Sequence, residues 1–168
     1  MRRILISLLA LLCMASCGRR RNAPAQEAAA DSRPRVFLPA IAPSSLSPDE
    51  RRDYLRVHYW DRFDFTDTLF TVRADTLQMV EAYARYIALI SDRPTDGSPI
   101  DSLMRRASSS RKMLDYFSML AEQVLHDPNS PLRNDEFYIP VLQAQLRSPW
   151  YDEYERIAPQ YDLEMATQ

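Results

Sequence analysis

The chain has 168 residues, 46% hydrophobic and 26% charged, with 21 basic against 23 acidic side chains, a balance that excludes a wholly disordered protein. Twelve Pro against two Gly exclude collagen and flexible-linker composition and argue against barrels or propellers built on many tight Gly turns, which leaves helices as the default. Two His, two Cys and a single Lys (Lys112), with no recognised catalytic motif, supply little material for chemistry, so the protein is expected not to be an enzyme.

Residues 1–16 have the form of a secretion signal: Arg2 and Arg3, an apolar run from Ile4 to Leu12, then Met14-Ala15-Ser16 directly before Cys17. The apolar run is shorter than the ~20 residues that span a bilayer. The pattern resembles a bacterial lipobox, with Met14 where Leu is usual, so Cys17 is the expected lipidation site, palmitate included, and the mature N-terminus. Cys13 leaves with the signal and Cys17 is consumed by lipid, so no disulfide or redox-active thiol is expected. Two acyl chains at ~0.8 kcal/mol per buried methylene anchor a protein stably, and Arg19-Arg20-Arg21 beside them suit anionic head groups. From Val36 onward 14 basic residues stand against 21 acidic, which argues against nucleic acid as a partner. The expected address is the cell envelope: an outer-membrane lipid anchor with the body in the periplasm or at the cell surface.

Residues 17–45 are rich in Ala, Pro, Arg and Ser, with Phe37, Leu38 and Ile41 as the large apolar side chains, and are expected to form a disordered tether. Pro34, Pro39 and Pro43 forbid a helix there, although Val36 to Ile41 suit docking as an extended strip. A single domain is expected over 46–168. Ser47-Pro48-Asp49-Glu50 has the spacing of a capping box and opens a helix to about Tyr59. A second helix is predicted from Asp75 to Ser91, with Leu77, Val80, Tyr83, Ala84, Ile87 and Ile90 as its stripe. A third runs from Ser98 to Ala107, and a fourth, with the widest apolar stripe, from Ser110 to His126. After a turn at 127–131, a helix starts near Asn134, passes Pro140 with a kink and ends at Arg147; Ser148-Pro149 opens a short one to Ile157, and Tyr161 onward adds a last turn. The fold class is therefore all-α, an irregular bundle or stacked helical hairpins of five to seven short helices.

Two stretches carry the candidate sites. In His58-Tyr59-Trp60-Asp61-Arg62-Phe63-Asp64-Phe65-Thr66-Asp67 aromatic rings interleave with carboxylates. Tyr59, Trp60, Asp61, Phe63 and Phe65 are the residue types of a glycan or peptide platform, and equally of a core with Asp-capped turns. Asp61, Asp64 and Asp67 lack the Gly and distal Glu of a calcium loop. In the second stretch, His126-Asp127 is followed by Asp135 and Glu136, the ingredients of an acid/base pair, but Asp127 and Asn129 suit Asx turns, Asn134 a helix cap and Arg133 a local ion pair. His58 and His126 are not at zinc-ligand spacing, so neither a metal nor any other cofactor is expected.

At these stretches the chain resembles a known family. His58 to Asp67, then Asp127-Pro128-Asn129-Ser130-Pro131-Leu132-Arg133-Asn134 with Tyr138 to Leu142, look like the signature blocks of the domain of unknown function family 5106. The resemblance runs from about Ser47 to the C-terminus. It implies a secreted or lipid-anchored protein of Gram-negative gut or oral bacteria, in which such a helical region commonly precedes a thioredoxin-like domain. This chain stops at Gln168 without a Cys-x-x-Cys, so the thioredoxin-like part is expected to be absent and no catalytic residue carries over.

The expected function is that of a lipid-anchored, non-catalytic interaction module, its partners the membrane and an envelope protein of thioredoxin-like kind. A glycan- or peptide-binding lipoprotein using Tyr59, Trp60, Phe63 and Phe65 is the alternative. A hydrolase built on His126 with Asp127 or Glu136 comes third.

Overall fold

The computed structural model describes residues 34–92 and 97–168, whose compact unit runs from Pro34 to Gln168. Residues 1–16 and Cys17, expected as a signal and a lipidation site, lie outside the described residues. The described residues hold seven α-helices, one π-helical turn and a single isolated β-bridge, which is the expected all-α class.

Helix α1, Pro48–His58, starts at the predicted capping box: the Ser47 amide donates to Glu50 Oε2 at 2.8 Å and the Glu50 amide to Ser47 Oγ at 3.4 Å. It buries none of its side chains. What holds it is Arg56, which donates to the Leu89 carbonyl at 3.1 Å and to Asp92 at 3.1 Å, and the rings that follow its C-terminus. A one-turn helix α2, Phe70–Arg73, has no counterpart in the sequence prediction.

Helix α3, Thr76–Ser91, is capped by Asp75, whose Oδ1 accepts from the Gln78 amide at 3.0 Å. Its buried face consists of Met79, Ala82, Tyr83, Tyr86, Ile87 and Ile90. Leu77, placed in the stripe by the sequence, is exposed; the buried face runs instead through Met79, four residues before Tyr83.

Helix α4, Ser98–Ala107, is entered through Gly97 at φ +78°. A Cβ on Gly97 would lie 3.1 Å from Pro140 Cγ and 3.6 Å from the Glu136 carbonyl oxygen. Both the left-handed backbone and the close approach call for glycine.

Helix α5, Arg111–Ala121, is capped by Ser110 and buries Met113, Leu114, Tyr116, Phe117, Leu120 and Ala121. It packs on α3, α4 and helix α6, Asp135–Arg147, which makes it the centre of the bundle. Asn134 caps α6, its Oδ1 accepting from the Phe137 amide at 3.0 Å. The helix predicted from Ser148 to Ile157 does not form. Ser148 instead takes the Trp150 amide on its hydroxyl at 3.1 Å, and Asp152 and Glu155 exchange backbone amides at 3.0 and 2.9 Å. These local bonds satisfy the backbone without a helix. Helix α7 then covers Ile157–Ala166 and packs on α6.

Of the stretch expected as a tether over 17–45, residues 17–33 lie outside the described residues, and the chain from Pro34 onward is bound to the bundle. Arg35 bridges the backbone of α2 and α3: its amide donates to the Arg73 carbonyl at 2.7 Å and its carbonyl accepts from the Asp75 amide at 3.0 Å. Two residues on, the Gln78 side chain stands in for a neighbouring strand. Its Oε1 accepts from the Phe37 amide at 3.0 Å and its Nε2 donates to the Phe37 carbonyl at 2.7 Å. The Phe37 ring is buried among Tyr59, Trp60 and Phe63. One large apolar side chain and backbone bonds on both sides offset the ordering of a short extended strip.

Candidate functional site

The interleaved aromatic segment is core. Trp60 is 3% and Phe65 7% exposed, and Tyr59 and Phe63 are buried with them. Trp60 and Phe63 each pack edge-on to Phe117 of α5, at 5.4 and 5.2 Å between centroids, and Phe65 stacks on the same ring at 5.3 Å. A sugar or peptide therefore cannot stack on these rings, and the glycan alternative loses its platform. The carboxylates act as local fasteners. Asp61 pairs with His58 at 2.7 Å and Arg106 at 3.4 Å, Asp64 accepts from the Thr66 amide at 2.8 Å, and Asp67 pairs with Arg35. Hydrogen bonds from Thr66 hold the Asp64 carboxyl below the usual range.

The second stretch borders a cleft of about 380 Å³ lined by Met119, Glu122, His126, Asp127, Pro128 and Arg133. Its floor is the π-helical turn Glu122–His126, which the sequence presented as a simple continuation of α5. The cause is local. Pro128 has no amide to give the Val124 carbonyl, which instead accepts from the Ser130 hydroxyl. The Asn129 amide, partner by spacing for the Leu125 carbonyl, is held by Asp127 Oδ1 at 2.7 Å, and the Leu125 carbonyl accepts from the Asn134 amide at 2.9 Å. The turn opens until the Asp127 amide reaches the Glu122 carbonyl at 2.9 Å.

His126 is half-buried at this turn and stacks on Tyr138 of α6, with centroids 4.7 Å apart and planes 14° from parallel. Its Nδ1 is buried without a hydrogen-bond partner among the described residues. Asp127 is turned toward Asn129, which makes the Asx turn predicted for both, and Arg133 reaches Asp135 at 3.6 Å. Glu136 is exposed, and no hydrogen bond or ion pair among the described residues joins His126 to Asp127 or Glu136. The structure thus brings His126 and Asp127 to one cleft but not into an acid/base pair. Among the described residues no group of three or more His, Cys, Asp or Glu is placed to hold a metal ion.

A third feature escaped the sequence reading. Tyr154, Ile157, Tyr161 and Met165 are 82%, 63%, 62% and 53% exposed, on α7 and the turn before it. The signal was present in the four-residue spacing of Ile157, Tyr161 and Met165.

Residues 16–168 match a family described as a domain of unknown function, DUF5106. The match begins well before Ser47 and takes in the strip that carries Phe37. A solved structure, a thioredoxin-like protein from Bacteroides caccae ATCC 43185, is 36% identical, with a TM-score of 0.68 over 79% of this chain and 48% of that one. The chain thus spans about half the length of that protein. No curated protein matches it.

Proposed function

The chain belongs to the DUF5106 family, and on that premise we propose that it is a lipid-anchored helical module of the cell envelope that works without catalysis, by binding a thioredoxin-like protein. One observation carries this reading: a protein 36% identical over most of this chain is described as thioredoxin-like, and about half of it lies outside the match. The site geometry supports the non-catalytic part. His126 lacks a carboxylate partner, and the residues lining its cleft include no Ser, Thr or Cys to act as nucleophile. The lipobox pattern at Met14 to Cys17 supports the address.

The test is purification of the tagged full chain from membranes of its native host, beside a Cys17→Ala version. The parent should be in the membrane fraction and bring down a thioredoxin-like protein identified by mass spectrometry, whereas the Cys17→Ala protein should leave the membrane. Complete membrane retention of Cys17→Ala after signal cleavage would refute the lipid anchor. Absence of any thioredoxin-like protein would refute the partner.

A further inference from the structure

We propose that the outward face of α7 is the surface on which a thioredoxin-like domain seats, an inference that rests on the functional reading above and assigns residues to it. Helix α7 is apolar on two sides. Pro159 is buried and Leu163 packs against the core, as a helix lying on α6 requires. On the other side Ile157, Tyr161 and Met165 recur every four residues, which puts them in one row along the exposed face. Tyr154 lies one bonded turn earlier, its carbonyl accepting from the Ile157 amide at 3.2 Å.

A surface helix ordinarily turns a polar face to water. Four large apolar side chains within twelve residues mark an interaction surface, and Tyr, Ile and Met are suited to the dry centre of one. The charge around the row selects the partner. Residues 150–168 carry Asp152, Glu153, Glu155, Asp162 and Glu164 against a single Arg156, which donates to the Ser148 carbonyl at 2.8 Å; Glu155 pairs with Arg111 of α5, and the other four acids set the charge of the border. An acidic border fits a surface whose apolar patch is edged by Lys or Arg, and it disfavours a second copy of this chain, which would bring like charge to like. The class of occupant comes from the comparison: the similar thioredoxin-like protein has about half its chain outside the match, a body large enough to cover the row.

The test uses the full chain in its native host, with the photocrosslinking residue p-benzoylphenylalanine placed at Tyr161 or, for comparison, at the exposed Leu77 on α3. Irradiation should give a covalent adduct with a thioredoxin-like protein from the Tyr161 position and none from Leu77. An Ile157→Asp/Met165→Asp double variant should bring down at least ten-fold less of that protein, with its melting temperature unchanged because both side chains face water. If a thioredoxin-like protein still purifies with the chain while Tyr161 gives no adduct and the double variant retains it, the surface is wrong and the functional reading stands. An adduct joining two copies of this chain would replace the proposal with self-association. If no thioredoxin-like protein accompanies any form of the chain, both readings fall.

Discussion

Phe37 lies flat on Trp60, with ring centroids 4.7 Å apart and planes 15° from parallel. That contact fastens the extended strip to the bundle, because Trp60 in turn meets Tyr59, Phe63, Tyr86 and Phe117 at centroid distances of 5.2 to 6.1 Å. The strip is the first described part of the chain after the proposed lipid anchor.

Replacing Phe37 with Ala should cost about 3–5 kcal/mol, the usual range for truncating a buried aromatic. Leu38→Ala, at an exposed neighbour, should change stability little. Urea denaturation of the two variants checks this. Equal stabilities would mean that the strip adds nothing to the fold.

Gly97→Ala should lower stability by about 1–2 kcal/mol from the left-handed backbone alone, and by more because the new methyl meets Pro140 at 3.1 Å. Pro140 lies inside α6, so its ring can give way only through its pucker. A thermal melt is sufficient. An unchanged melting temperature would show that the α4 entry adjusts freely.

How much of this was legible in the sequence follows a physical line. Caps made by neighbouring residues were readable: Ser47, with Glu50, and Asn134 each bond the amide three positions on, and Asp75 and Ser110, read as helix starts, do the same. Features settled by distant partners were not. Nothing near Phe37 in sequence announces Gln78, 41 positions on, as the group that binds its backbone. The π-helical turn was hidden because Glu122 to His126 have ordinary helical character, and the carbonyl partners that open the turn come from Ser130 and Asn134. Of the candidate site residues, the turn set of Asp127, Asn129, Arg133 and Asn134 takes the local roles its side-chain chemistry suggests. The aromatic set was ambiguous, since alternating rings and carboxylates serve a platform and a core equally well. Burial decided between them.

Asp127→Ala and Asn134→Ala should each lower stability by about 1 kcal/mol, because each removes an acceptor from backbone amides at the start of a turn or helix. Calorimetric melts check the size. Loss of both at once should exceed either alone, since both residues serve the bend between the π-helical turn and α6. No effect from Asn134→Ala would remove the cap from the account.

Between neutral pH and about 10, the ordinary tyrosine value, stability should be flat, and above that it should fall. Burial pushes the Tyr86 and Tyr116 hydroxyls up to about 12, and raises Tyr59, Tyr83, Tyr138 and Tyr151 as well. Between those limits the unfolded chain releases protons that the folded chain keeps, so the unfolded state gains as pH rises. The stabilising effect is whole below pH 10 and is lost as pH climbs through the folded-state values. Circular dichroism melts from pH 8 to 12, with phenolate absorbance at 295 nm, follow both sides of the linkage. Ionisation of all nine tyrosines at pH 10 without loss of helix would contradict the burial of these rings.

Binding is the central claim, and titration calorimetry tests it most directly. The purified full chain is titrated with the thioredoxin-like protein that accompanies it from the native envelope, and the His126→Ala chain is titrated alongside. The account predicts a saturable one-to-one isotherm that His126→Ala leaves unchanged, because the cleft at the π-helical turn is not the contact surface. No saturable heat from either chain, or binding abolished by His126→Ala with the fold intact, would contradict it.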